Sequence, residues 1–177
     1  MAAESTSPVV PSPITPNGWL AYGVALCAVA LDQLSKAWIL TGLHLPERFS
    51  VPVVPPIFRL TMVWNSGVSF HLFAANNTFG RMVLVLFAVA VVAVLGFWAR
   101  KAERRITAVA LGLVMGGALG NNLIDRLRFG QVVDFLDFSG IGFFPWVFNV
   151  ADSCITVGVI LLLIDTVRSP SPTVSPT

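Results

Sequence analysis

The chemistry this chain could perform rests on carboxylates and amides set into otherwise apolar stretches. Asp32 and Lys36 stand four residues apart in Asp32-Gln33-Leu34-Ser35-Lys36. On a helix that spacing stacks them on one face. Asn122 and Asp125 are three apart, Asn121 and Asp125 are four apart, and Arg126 follows directly. Asp134 lies in Gln131-Val132-Val133-Asp134-Phe135, and Asp152 in Phe148-Asn149-Val150-Ala151-Asp152-Ser153, with Asn149 one helical turn before it. Neither Asp134 nor Asp152 has a cation nearby in sequence. Two such carboxylates brought together share one proton, because like charges at close range do not both ionise. One then takes a proton from water, and the other protonates the carbonyl oxygen that the water attacks.

Each group also has a plainer reading. A charge at the centre of a bilayer costs at least about 2.5–3.5 kcal/mol, so it needs a partner or a purpose. Asp32 and Lys36 either neutralise one another in lipid or touch a reacting site, and both readings stand. A helix C-terminus favours Arg126 and disfavours Asp125. Asp125 therefore needs a donor, from Arg126 or from an outer loop, and the pair reads as a structural ion pair first and as chemistry second. Gly112, Gly116 and Gly120 recur every four residues, a stripe that lets another helix approach closely. Cys27 and Cys154 lie in apolar runs and read as small packing residues.

Other catalytic chemistries find less footing. His44 and His71 are the two histidines, and no His-Glu-x-x-His motif is present, which argues against a zinc protease. Ser66-Gly67 and Ser139-Gly140 do not resemble a nucleophile elbow. No phosphate-binding loop is present. No metal and no cofactor is expected.

The elements that must position these groups follow from composition. Of 177 residues, 55% are hydrophobic and 11% charged, with a mean hydropathy of +0.80. Soluble domains carry about 25% charged residues, so the solvent for much of this chain is lipid. A net charge of +2 suggests no nucleic-acid partner. Spanning the hydrocarbon takes about 20 helical residues. Four stretches suffice: Trp19–Leu40, Met82–Ala99, Ile106–Ile124 and Phe148–Val167. The loop Arg100-Lys101-Ala102-Glu103-Arg104-Arg105 is the densest basic cluster, which the positive-inside rule puts in the cytoplasm. Both termini are then cytoplasmic, and the loops Thr41–Arg81 and Asp125–Val147 lie outside. The N-terminal segment lacks a signal-peptide pattern, so the first span is expected to be retained.

In the first outer loop, Phe58, Leu60, Met62 and Trp64 alternate with Arg59, Thr61 and Val63, as in a strand with one apolar face. Pro52, Pro55 and Pro56 break the chain before it, and Trp64–Phe70 reads as a turn leading into apolar residues. This element either caps the helix ends at the membrane surface or contacts substrate. Residues 1–16 and 169–177 are rich in Pro, Ser and Thr and read as disordered tails flanking a membrane domain over 17–168. No internal repeat is visible, which weighs against a transporter.

Four blocks carry a family resemblance over nearly all of residues 19–167. They are Asp32-Gln33-Leu34-Ser35-Lys36, Asn65-Ser66-Gly67-Val68-Ser69-Phe70, Gly116–Arg126 followed by Val132-Val133-Asp134-Phe135, and Phe148–Ser153. Together they resemble the lipoprotein signal peptidases (signal peptidase II). The resemblance implies a membrane all-α fold of four transmembrane helices with a small extracytoplasmic β element. It implies an aspartic endopeptidase of the bacterial inner membrane that removes signal peptides from diacylglyceryl-modified prolipoproteins, cutting before the lipidated cysteine. Asp134 and Asp152 would be its catalytic pair. Asp32, Lys36, Asn65, Gly120, Asn122, Asp125, Arg126, Asn149 and Ala151 would surround them. Implied partners are the prolipoprotein, membrane lipid and globomycin-like inhibitors, with the enzyme a monomer.

One departure from the pattern concerns the third block. The family carries one Asn between the last glycine and Leu-Ile-Asp-Arg, whereas this chain has Asn121 and Asn122. Asn122 keeps the family spacing to Asp125, and Asn121 keeps it to Gly120. The extra residue turns the helix by about 100° or demands a local bulge. Apart from the resemblance, an ion-conducting transporter and a scaffold with polar helix-pairing residues remain the alternative classes.

Overall fold

The computed structural model describes residues 14–67 and 78–168. The two tails (up to Pro13 and from Ser169), the Val68–Phe70 part of the expected turn, and His71 lie outside the described residues. Among the described residues four helices are long and apolar enough to cross a membrane: Pro16–Gly42, Thr78–Ala99, Arg105–Arg128 and Val150–Arg168. The first three contain the expected spans, and the fourth starts two residues later than expected, because Phe148 belongs to a strand; all ends agree within about a turn.

Helix α1 (Pro16–Ala37) begins where Thr15 accepts from the Gly18 amide and Pro16 occupies the first turn, a position that needs no N–H donor. By composition Thr15 and Pro16 belong with the tail, yet they anchor this helix. Thr15 N donates to the Arg100 carbonyl (3.0 Å), and its hydroxyl donates to that of Ala102 (2.9 Å). Asn17 adds a bond to the Glu103 carbonyl (2.6 Å). The start of α1 is thus tied to the basic loop between α3 (Thr78–Ala99) and α4 (Arg105–Ala118).

Helix α4 lies at the centre of the bundle, and its glycines explain how. A Cβ on Gly112 would stand 2.5 Å from the Ala21 carbonyl oxygen, and one on Gly116 would stand 2.6 Å from that of Ala25 and from Ala28 Cβ. The stripe therefore lies flat on the small-residue face of α1. On the other side, Gly158 of α6 (Val150–Arg168; the short α5 is Arg126–Arg128) leaves room for Val114 and the Ala110 carbonyl. Large apolar side chains such as Leu26, Leu34, Phe87 and Leu163 point away from the bundle, more than 60% exposed, as lipid-facing residues do.

The α1 backbone widens into a π-helical turn at Trp38–Gly42, followed by the short α2 (Leu45–Arg48). A four-stranded antiparallel sheet then covers this end, in the order β1 (Ser50–Val54), β2 (Phe58–Asn65), β3 (Val132–Asp137), β4 (Val147–Phe148). The expected strand over Phe58–Trp64 is β2, with a register shift between Leu60 and Val63. The strands β1 and β3 were not evident in the pattern. Pro52 is tolerated in β1 because that strand is an edge. Strand β3 is buried along nearly its whole length, its two aspartates included, so its sequence shows no alternation of apolar and polar residues. Ile39, Leu45, Leu60, Val133 and Phe135 form the core that joins the sheet to the bundle.

If the glycine stripe sets the α1–α4 distance, Gly116→Val should lower stability by about 1–3 kcal/mol through overpacking. Gly23→Ala, whose Cβ meets nothing within 4 Å, should leave stability unchanged. Thermal unfolding of both variants in detergent checks the contrast.

Candidate active site

The π-helical turn Leu119–Asp125 at the end of α4 sits opposite the polar face of α1. A π turn holds one residue more than the α-helix it replaces, which accommodates the doubled asparagine as a bulge. Just before the polar residues, a Cβ on Gly120 would lie 2.6 Å from Asp32 Oδ2, so only glycine lets the two helices meet there.

Lys36 sits in the middle, 1% exposed. Its Nζ lies 2.8 Å from Asp32 Oδ2, 2.7 Å from Asp125 Oδ2 and 2.7 Å from Asn121 Oδ1. The ammonium has three protons, and all three find acceptors. The other oxygens of the two carboxylates are also bound. Asp32 Oδ1 accepts from the Ala151 amide (3.0 Å), Asp125 Oδ1 from Gln33 (2.9 Å), and Asp125 Oδ2 also from the Val133 amide (3.1 Å). This one cluster therefore ties α1 to α4, to β3 and to the start of α6.

Arg126 is not the donor to Asp125. Its Nε donates to Asn122 Oδ1 (3.2 Å) and its Nη1 to the Ser66 carbonyl (3.4 Å). Successive residues on a helix point about 100° apart, so Asp125 faces α1 while Arg126 faces the end of β2. The expected Asp125–Arg126 ion pair is replaced by Lys36 together with an amide of the outer loop.

Asp134 and Asp152 come together through Asn149. Asn149 Nδ2 donates to Asp134 Oδ1 (2.6 Å), and Asn149 Oδ1 accepts from the Asp152 amide (3.0 Å). The Asn149 amide in turn donates to Asp152 Oδ2 (3.2 Å), giving a reciprocal capping box at the start of α6. Asn65, at the end of β2, donates to Asp134 Oδ2 (2.9 Å), while its own oxygen is held by the Gly67 amide (3.0 Å). Asn121 Nδ2 donates to Asp152 Oδ1 (2.7 Å). All eleven residues expected at the site thus lie in or beside one connected network. Asn122 is at its margin, on Arg126, whereas Asn121 is inside. Beside Asp152, Phe144, Phe148, Ser153, Thr156 and Val157 line an apolar recess of about 390 Å³.

Sequence reasoning overlooked Gln33, which reaches both Asp32 (3.1 Å) and Asp125. Helical face spacing sets it aside because it is adjacent to Asp32; a second polar residue beside Asp32 in an apolar span was the available signal. Among the described residues no three His, Cys, Asp or Glu side chains converge as metal ligands would.

Strand β3 carries two carboxylates in opposite electrostatic settings. Burial raises Asp137, but hydrogen bonds from Ser139 and Thr61 and the charge of Arg59 (2.9 Å) outweigh it and hold the carboxyl at about 2. Among the described residues Asp134 has no cation in contact. Burial pushes it up to about 6, with the charge of Asp152 acting in the same direction and the amides of Asn65 and Asn149 and the more distant charge of Lys36 only partly opposing.

The fold, four membrane-spanning helices capped by a small antiparallel sheet, is that of solved bacterial membrane enzymes. One bacterial membrane enzyme, determined by the in meso method at 2.3 Å, matches with a TM-score of 0.74 and 27% identity, covering 95% of this chain and 99% of that one. A second, at 1.9 Å, matches with a TM-score of 0.72 and 29% identity, over 85% and 94% of the two chains. The family described as signal peptidase (SPase) II matches residues 24–168. A lipoprotein signal peptidase of Caulobacter vibrioides is 51% identical over 88% of this chain and 91% of its own. Another, from Methylorubrum extorquens, is 43% identical over 83% and 84%. The chain belongs to the signal peptidase II family.

The electrostatics of β3 predict a carboxyl that stays protonated in the folded protein until the pH passes about 6. The unfolded chain releases the same proton near pH 4, so this group's contribution to stability declines as pH rises from about 4 to about 6. Infrared titration should show a protonated carboxyl signal fading near pH 6, and Asp134→Asn should remove it.

Proposed function

We propose that this signal peptidase is an aspartic endopeptidase that removes signal peptides from lipid-modified prolipoproteins, cutting before the diacylglyceryl-cysteine. The observation that carries the reading is the pair of bonds that Asn149 donates, from its side-chain amide to the Asp134 carboxyl and from its main-chain N–H to the Asp152 carboxyl, which hold two carboxyl groups at one end of the bundle. In the first step the ionised carboxylate takes a proton from water, and the water oxygen attacks the scissile carbonyl carbon. The protonated carboxyl gives its proton to the carbonyl oxygen. In the second step the tetrahedral intermediate returns that proton as its carbonyl re-forms, the C–N bond breaks, and the other carboxyl protonates the leaving amine. Both groups end as they began, ready for another turnover.

The basic loop Arg100–Arg105 lies at the end of the bundle remote from this site, which by the positive-inside rule makes the site extracytoplasmic and both termini cytoplasmic. The protein is then a multi-pass component of the bacterial inner membrane. Its working unit is the membrane domain over 17–168 together with the Thr15–Pro16 anchor, with the remaining tails dispensable and the enzyme a monomer. Acyl chains of the substrate remain in lipid against the apolar helices, while the peptide reaches the carboxyl pair from the rim. A globomycin-like inhibitor would occupy that pair and compete with substrate.

Asp134→Asn and Asp152→Asn should each reduce cleavage of a lipidated prolipoprotein by at least about 100-fold, the scale of a lost acid or base. Both proteins should remain folded. Near-normal turnover by either variant contradicts the mechanism.

A further inference from the structure

Asn121 occupies a position whose chemistry the carboxyl pair alone does not explain. It is 4% exposed, it sits in the π-helical turn, and it joins the Lys36 cluster to Asp152. Its orientation is unambiguous. An ammonium has no lone pair to offer, so the atom 2.7 Å from Lys36 Nζ is the amide oxygen, and the NH2 group faces Asp152 Oδ1 at 2.7 Å. Lys36 polarises this amide, because hydrogen bonds in series strengthen one another in a low-dielectric setting.

The two carboxyl groups therefore have unequal donors. Asp152 receives an amide backed by a full positive charge, a main-chain N–H, and the positive end of helix α6. Among the described residues Asp134 receives hydrogen bonds from the neutral side-chain amides of Asn65 and Asn149, and the charges of Lys36 and Arg126 act on it only from beyond contact. The charged groups that act on Asp152 among the described residues are Lys36 and Asp32 from α1 and Asp134 from β3, while Arg126 lies toward Asp134. Among the described residues Lys36 is the cation whose charge acts on Asp152, and Asn121 is the group that bridges the two.

We propose that Asn121 is a positioning residue that transmits the Lys36 charge to Asp152, so that Asp152 enters the reaction as the base and Asp134 carries the shared proton. This rests on the aspartic mechanism proposed above and assigns the two roles within it.

The test uses Asn121→Asp, Asn121→Leu and Asp152→Asn beside the parent enzyme, in detergent or lipid, with a lipidated prolipoprotein as substrate. Asn121→Asp keeps an acceptor for Lys36 but has no N–H for Asp152. A role confined to satisfying Lys36 is preserved in this variant, in which a carboxyl replaces the amide that faces Asp152. The expected result is a kcat lowered by about 10- to 100-fold at near-parent KM, with rates counted per monodisperse folded protein. Asn121→Leu, which loses both bonds, should lose at least as much kcat per folded molecule. Infrared titration should retain the protonated carboxyl signal in Asp152→Asn, where Asp134 is intact. Parent-like kcat in Asn121→Asp, a loss confined to KM, or a signal that disappears in Asp152→Asn would each overturn the assignment. If Asp152→Asn itself cleaves substrate at the parent rate, the aspartic mechanism fails. Inactive Asp152→Asn beside a fully active Asn121→Asp would sink only the role of Asn121.

Discussion

A single buried ammonium is the constraint on which this architecture depends. Lys36 lies between Asp32 and Asp125 with no access to water, and its third proton goes to Asn121. Removing one partner from such a cluster costs about 3–5 kcal/mol, because an uncompensated charge is left in low dielectric. That cost is a strong reason for α1 and α4 to meet at one depth and one rotation. The glycine stripe allows the approach, and the ion cluster sets its register. The Ala151 amide on Asp32 and the Val133 amide on Asp125 extend the same register to α6 and β3.

Those last two bonds connect packing with chemistry. Ala151 immediately precedes Asp152, and Val133 immediately precedes Asp134. Each carboxyl of the pair is therefore one residue away from a main-chain amide that the cluster holds. Asn149 then joins the pair directly, and Asn65 closes the far side from the sheet. The sheet thus does more than cover helix ends: β2 and β3 bring one amide and one acid to the rim. Asp137, on the same strand, carries its own cation in Arg59 and remains an ordinary structural carboxylate.

Much of this was legible in the residues. The spans followed from apolar length, the Asp32–Lys36 pair from helical spacing, and the carboxyl pair from two acids with no cation in sequence. The glycine stripe announced close packing, and it does contact α1. What escaped had physical causes. Strand β3 is buried on both faces and so shows no alternation, while β1 was disguised by prolines that an edge strand tolerates. The partner of Asp125 comes from a helix about 90 residues away, a contact that local spacing does not reveal. The doubled asparagine signalled a bulge. Which amide faces the acids depends on how the π turn rotates the side chains, and that rotation is a property of three dimensions.

The most direct test of the account is the unfolding temperature of Lys36→Met compared with that of the triple variant Asp32→Asn/Lys36→Met/Asp125→Asn. If neutralising a buried carboxylate pair is what holds the bundle in register, Lys36→Met unfolds well below the parent and the triple variant recovers much of the loss. A Lys36→Met protein as stable as the parent, or a triple variant no better than the single, would contradict it.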